Sequence, residues 1–316
     1  METYDDYRLK IWCLMDGKAG HQNQVLGCAE AIQRKTAAGI YPVDLSGWNR
    51  GVRSIFRADK SSLPDVAPDL MIGAGHASHV PLWTLRRRFG GRSVVLMKPS
   101  LPLACFDICL VPDVHRLKRV PANVILTTGV LNRVLPGTSK NAKAGLLLIG
   151  GPSAHYRWSD EKVWQQVREV LDRESDATWT IATSRRTPES FCRTLSNHST
   201  VQLIKPDDVG ADWLPTQLSK AAVVWVSEDS VSMTYEALTS GSQVGILELQ
   251  RHRNNRVTDC IDTLVDADLV SRWSIWHQSG LLPPRSQRFC EAERCATEVL
   301  ARLPARFSTN PTSRAA

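Results

Sequence analysis

Short runs of consecutive apolar residues recur along the whole chain, and stretches with helical periodicity separate them. KIWCLM (10–15), GIYPVDL (39–45), DLMIGAG (69–75), SVVLMK (93–98), DICLVPD (107–113) and NVILTTG (123–129) form a first series. GLLLIGG (145–151), TWTIATS (178–184), VQLIK (201–205), AVVWVSED (222–229) and SQVGILEL (242–249) form a second. The runs are near-continuous rather than alternating, which is the pattern of strands buried on both faces of a parallel sheet. SDEKVWQQVREVLDRE (159–174) puts Val163, Trp164, Val167, Val170 and Leu171 on one helical face, with Ser159 placed to cap it. SMTYEALTSG (232–241) begins on serine and stops on glycine, as a helix should. RVLPGTSKNAKAG (133–145) has turn formers and no period, and reads as a linker. The expected fold is α/β, with two doubly wound, Rossmann-like domains facing across a cleft. Residues 1–138 would form the first domain and 139–306 the second, with the last helix free to return to the first and a disordered tail over 307–316.

Composition narrows the class of partner. Of 316 residues, 42% are hydrophobic and 22% charged, as in ordinary globular proteins. The net charge of +7 suits anionic ligands or an anionic membrane surface. Nucleic acid is not indicated, because no long basic run interleaved with aromatics accompanies that charge. LRRRF (85–89) is the densest basic cluster and reads as a solvated helix face. Eight cysteines lie scattered, several inside apolar runs, without a C-x-x-C pair, as expected of reduced thiols in a cytosolic protein. The acidic, polar start is not a secretory signal, and no apolar stretch is long enough to span a bilayer. The expected location is the cytoplasm, with peripheral contact at the inner face of the inner membrane as an option.

In doubly wound sheets, ligands gather at the carboxyl ends of the strands. Five of the loops expected there are richer in polar groups than turning requires. DGKAGHQNQ offers Asp16, Lys18, His21, Gln22, Asn23 and Gln24, and its glycines let a ligand approach the backbone before the next helix. IGAGHASHVP carries His76 and His79, whose spacing would suit a metal only with further ligands that the chain does not offer at a diagnostic spacing. IGGPSAHYRW brings Gly150, Gly151 and Ser153, where backbone amides can meet an anion or simply make a tight turn. TSRRTP supplies Arg185 and Arg186, as an anion contact or as a solvent-facing pair. WVSEDSVSMTYEALTSG is the most specific. Ser230, Val231 and Ser232 open a helix that can hold a diphosphate, and Glu236 further in can accept the hydroxyls of a ribose.

That last segment resembles the donor-binding segment of GT-B glycosyltransferases, and is similar to that of the peptidoglycan N-acetylglucosaminyltransferase and of UDP-N-acetylglucosamine 2-epimerase. More closely, LMDGKAGHQNQ, IGAGHASH, LIGGPSAHYRW, TSRRTP and SEDSVSM, in that order, resemble the family of the plant mitochondrial-fission (elongated-mitochondria) protein. Its bacterial members are described as glycosyltransferases, and its plant member is an organelle-division adaptor. Where that family often carries arginine after IGAG, this chain has His76. The resemblance implies a GT-B enzyme with a nucleotide-sugar co-substrate bound by the second half, and neither a cofactor nor a metal. Asn254 and Asn255 are then candidates for donor-sugar hydroxyls. Asp16 and His21 are candidates for the acid–base pair, since imidazole titrates near neutrality. Lys18, Gln22, Asn23, Gln24 and His76 fall on the acceptor side. The expected acceptor is a cell-envelope saccharide or glycolipid such as lipopolysaccharide core. An epimerase or hydrolase on the same scaffold, and a non-catalytic adaptor, remain as alternatives.

Overall fold

The computed structural model describes residues 9–46, 48, 63–137, 139–197, 201–210, 212–284 and 289–307. These fall into two compact units that divide between Arg133 and Val134, and the chain from Glu291 onward rejoins the first unit. Of the tail expected to be disordered over 307–316, Phe307 is instead buried in the core of the first unit, and residues 308–316 lie outside the described residues.

In chain order the first unit holds β1 (Leu9–Met15), α1 (Ala19–Lys35), β2 (Ala38–Asp44), β3 (Leu70–Ala74), α2 (His76–Phe89), β4 (Arg92–Leu96), β5 (Ile108–Pro112) and β6 (Val124–Thr127). The strands form one parallel sheet in the order β2-β1-β3-β4-β5-β6. β3 and β5 are buried at every residue, which is why they read as unbroken apolar runs. One face packs Ile11, Cys13, Ile72 and Val94 against Val25, Cys28 and Ile32 of α1. The other packs Trp12, Met71 and Val95 against Leu82 and Leu85 of α2.

The second unit holds β7 (Asn141–Ile149), β8 (Tyr156–Arg157), α3 (Asp160–Arg173), β9 (Thr178–Thr183), α4 (Glu189–Ser196), β10 (Gln202–Ile204), α5 (Trp213–Lys220) and β11 (Ala221–Ser227). It continues through α6 (Val231–Thr239), β12 (Gln243–Leu247), β13 (Gln250–Arg251), α7 (Arg256–Asp266), β14 (Ser271–Arg272) and α8 (Trp273–Ser279). Its main sheet is parallel, in the order β10-β9-β7-β11-β12-β14. Ser159 caps α3 by accepting from the Lys162 N–H, and Val163, Val167 and Val170 are buried beneath that helix. Gly241, at φ +79°, ends the turn after α6.

Each expected run contains a strand, but two boundaries move. Residues 141–145, read as the end of a linker, are the first half of β7: Ala144 and Gly145 pair with Thr178 and Trp179 of β9, and Gly145 with Val223 of β11. Exposure at Asn141, Ala142 and Lys143 hid that start from a reading based on hydrophobicity. Likewise α1 begins at Ala19, so His21, Gln22, Asn23 and Gln24 lie in its first turns rather than in a loop.

Both strand orders reverse direction once beside their first strand, between β1 and β3 and between β7 and β11. Such a reversal opens a crevice at the carboxyl ends of the two strands. Each unit therefore has one topologically favoured place for a ligand.

Candidate active site

In the second unit the crevice is bounded by the segments after β7, β9 and β11. Ser230 is the N-cap residue of α6 and its carbonyl accepts from Thr234 (3.1 Å), so the N–H groups of Val231, Ser232 and Met233 open the helix without an intrahelical acceptor. Ser230 is buried, Val231 half-buried and Ser232 exposed. Glu236 is half-buried four residues beyond Ser232, hence on the same face of α6 and about 6 Å further along it.

The glycine amides are arranged differently from the sequence reading. Gly150 N–H donates to Ser227 Oγ (2.7 Å) and Gly151 N–H to Asp229 Oδ2 (3.1 Å), so both are already engaged by the protein. Ser227 Oγ–H in turn donates to Asp229 Oδ1 (2.8 Å), and Arg186 Nη1 lies 2.7 Å from Asp229 Oδ2. The Asp229 carboxylate has no solvent exposure. Burial raises its pKa above the ordinary carboxylate value against the opposing pull of Ser227, the Gly151 amide and Arg186. A side chain at Gly151 would overlap the Arg186 carbonyl, so the β7 and β9 segments come this close only through glycine.

Other candidates hold the fold. Ser153 Oγ accepts from the His155 and Tyr156 N–H groups (both 3.2 Å), closing the turn into β8. Asn255 caps α7, accepting from Val257 N–H (2.9 Å), and its Nδ2 lies 3.3 Å from His155 Nδ1. Asn254 and Arg185 are exposed.

Sequence reasoning missed Asp229 and also Glu228. Glu228 Oε1 accepts from Arg251 Nη2 (2.9 Å) and Arg272 Nη1 (2.8 Å), Oε2 accepts from Leu249 N–H (3.1 Å), and both arginines also bind Asp262 (2.6 Å each). The available signal was two consecutive acids at the end of a buried apolar run, where a charged side chain must find partners.

In the first unit the crevice lies between the ends of β1 and β3. Asp16, 1% exposed, accepts Lys18 N–H (3.1 Å) through Oδ1 and sits 2.6 Å from His21 Nδ1 through Oδ2. The His21 ring is 21% exposed and lies against Gly75, whose φ of +77° and lack of a side chain make room for it. A buried carboxylate on Nδ1 fixes the tautomer and orientation of an imidazole, leaving Nε2 for chemistry. Lys18 is the N-cap residue of α1. Asn23 Oδ1 accepts from the Arg133 N–H (3.4 Å), and Gln24 Nε2 reaches Gly20 O (3.4 Å) and Met97 Sδ (3.7 Å). Gln22 is half-buried on the same helix.

His76 and His79 meet over Ser100. Ser100 N–H donates to His79 Nδ1 (3.3 Å), and its Oγ lies 2.9 Å from both His79 Nδ1 and His76 Nδ1. With His79 Nδ1 accepting, the serine hydroxyl donates to it and accepts from His76. Burial first, then the neighbouring His76 and His21, depresses the His79 pKa to about 4. Among the described residues no three His, Cys, Asp or Glu side chains converge to hold a metal ion, and no helix is long and apolar enough to cross a membrane.

Two Rossmann-like units in one chain, each with a polar crevice at its strand reversal, define a protein of the GT-B fold. Solved structures share that fold over nearly the whole chain. UDP-GlcNAc 2-epimerase from Neisseria meningitidis, bound to UDP-GlcNAc, matches with a TM-score of 0.54 at 10% identity, covering 93% of this chain and 99% of its own. S. aureus MnaA in complex with UDP gives 0.51 at 13%, covering 96% and 98%. CalG4, the calicheamicin glycosyltransferase, gives 0.52 at 12%, covering 94% and 98%. No curated protein sequence matches the chain. Residues 19–303 match the family Mitochondrial fission ELM1, and the chain belongs to that family.

Proposed function

We propose that the protein is a glycosyltransferase that moves a sugar from a nucleoside diphosphate donor to a hydroxyl of a cell-envelope saccharide or glycolipid. The observation that carries this reading is the Asp16–His21 contact at 2.6 Å, an oriented base at the strand reversal of the first unit. The second unit supplies a helix start, an arginine and a helical carboxylate at its own reversal. The fold is one on which the solved relatives hold UDP and UDP-GlcNAc.

In this reading the N-terminus of α6 and Arg186 stabilise the leaving diphosphate without a metal, and Glu236 accepts the ribose hydroxyls. His21 takes the proton of the acceptor hydroxyl while the acceptor oxygen bonds to the anomeric carbon. The bond from that carbon to the diphosphate oxygen breaks, and the diphosphate leaves with the electron pair. Asp16 stabilises the imidazolium that forms. Gly150, Gly151, Ser153 and Asn255 then shape the donor site through the backbone rather than touching the sugar.

A glycolipid acceptor at the inner face of a membrane accords with the net charge of +7. The exposed Arg87 and Arg88, stacked over Trp83 and Phe89 at 4.8 and 5.1 Å, accord with it too. Among the fold relatives, the UDP-GlcNAc 2-epimerase bound to UDP-GlcNAc favours a second reading in which the same donor site serves epimerisation without an acceptor.

Replacing His21 by Ala tests the first reading. Transfer from a nucleotide sugar to a lipid-oligosaccharide extract should fall by about 10²–10⁴-fold, while the affinity for the nucleoside diphosphate stays unchanged. Unaltered transfer in His21→Ala removes the imidazole from the chemistry, and inversion at the sugar's C2 without any acceptor would establish the epimerase instead.

A further inference from the structure

Asp229 is a buried anion standing at the place where the donor reading puts a diphosphate. Its carboxylate is fully covered and ties together all three segments that bound the crevice: Gly151 N–H from the β7 side, Arg186 from the β9 side and Ser227 from its own. Burial raises its pKa, against the pull of Ser227, the Gly151 amide and Arg186.

The geometry of Arg186 indicates a use for that carboxylate. Nη1 is committed to the protein three times over, to Asp229 Oδ2 at 2.7 Å and to the carbonyls of Gly151 and Pro152 at 3.2 and 3.3 Å. Among the described residues, Nε and Nη2 make no hydrogen bond to the protein, and the side chain is 43% exposed. A guanidinium held by one nitrogen presents its remaining edge in a fixed plane, and that edge matches two oxygens of a phosphate.

We infer that Asp229 is a positioning residue. It holds Arg186 so that the Nε–Nη2 edge binds the diphosphate of the donor, and it keeps the Gly150–Gly151 turn in the shape that leaves room for that group. The inference rests on the donor-site reading and names the device by which that site recognises phosphate rather than base or sugar.

The test is a calorimetric comparison of UDP with uridine, repeated with GDP and guanosine and with ADP and adenosine. It uses the full-length protein, Asp229→Asn, Arg186→Gln and the double variant. Asn can keep the local hydrogen bonds, its oxygen accepting from Gly151 and its amide donating to Ser227, while the charge that orients Arg186 is lost. Asp229→Asn should weaken the diphosphate by about tenfold and leave the nucleoside within twofold. Arg186→Gln should do the same, and the double variant should be no worse than Arg186→Gln alone. A general loss of structure would weaken nucleoside and diphosphate together. An unchanged ratio of the two affinities in a folded Asp229→Asn overturns the inference. So does wild-type diphosphate affinity in Arg186→Lys, which keeps the charge at an exposed position but lacks the two-nitrogen edge. If the unaltered protein binds no nucleoside diphosphate at all, the donor-site reading itself falls and the inference with it.

Discussion

Asp16 and His21 differ in exposure, and the proposed mechanism rests on that difference in making His21 the base and Asp16 its orienting partner. The carboxylate is covered and holds two N–H groups, whereas the ring keeps about a fifth of its surface open. His79 is its counterpart without access: 4% exposed, with Nε2 unpartnered among the described residues and a pKa near 4. Unfolding returns that ring to a pKa of 6.5, so between pH 6.5 and about 4 the unfolded chain binds a proton that the native state refuses. Native stability should therefore fall as the pH drops through that window. In His79→Asn, followed by urea unfolding at a series of pH values, the fall should be shallower; a curve parallel to that of the unaltered protein would contradict the assignment. The sequence offered Asp16 and His21 as an acid–base pair because both stand in the polar segment that follows the first apolar run. It could not show that Gly150 and Gly151 donate inward, since that depends on Ser227 and Asp229, some 77 and 78 residues away along the chain.

At the scale of elements, the strands were legible and their ends were not. A parallel strand covered on both faces must be apolar throughout, so β3, β5 and the core of β7 stand out unaided. Helix starts are set by local bonds that compete with loop geometry, and α1 opens on Lys18 without a side-chain cap, which concealed the helical setting of His21 to Gln24. The segments after β11 and β12 are joined by Glu228, which is 1% exposed and shared by Arg251 and Arg272. Removing one member of such a buried set strands the others, so Glu228→Gln should cost about 3–5 kcal/mol in equilibrium urea unfolding. A loss below about 1 kcal/mol would mean that Asp262 alone suffices for both arginines.

At the scale of the whole molecule, the chain builds the doubly wound plan twice with different strand orders, and it concentrates polar side chains at the reversal in each. The return of the chain to the first unit is anchored by α9 (Glu291–Leu300), whose Ala292, Cys295, Ala296 and Val299 lie in the same core as Val25, Cys28 and Ile32 of α1. That return was foreseeable only as an option, because an amphipathic terminal helix does not declare which sheet it will cover. The proposed function divides in the same way, with recognition of the leaving group assigned to the second unit and the base to the first. The central claim is that the reversal between β7 and β11 is a diphosphate site. Titration calorimetry of the unaltered protein against matched nucleosides and nucleoside diphosphates tests it most directly. The account predicts one diphosphate bound per chain, at least about tenfold tighter than its nucleoside; equal affinity for the pair, or no diphosphate bound at all, would contradict it.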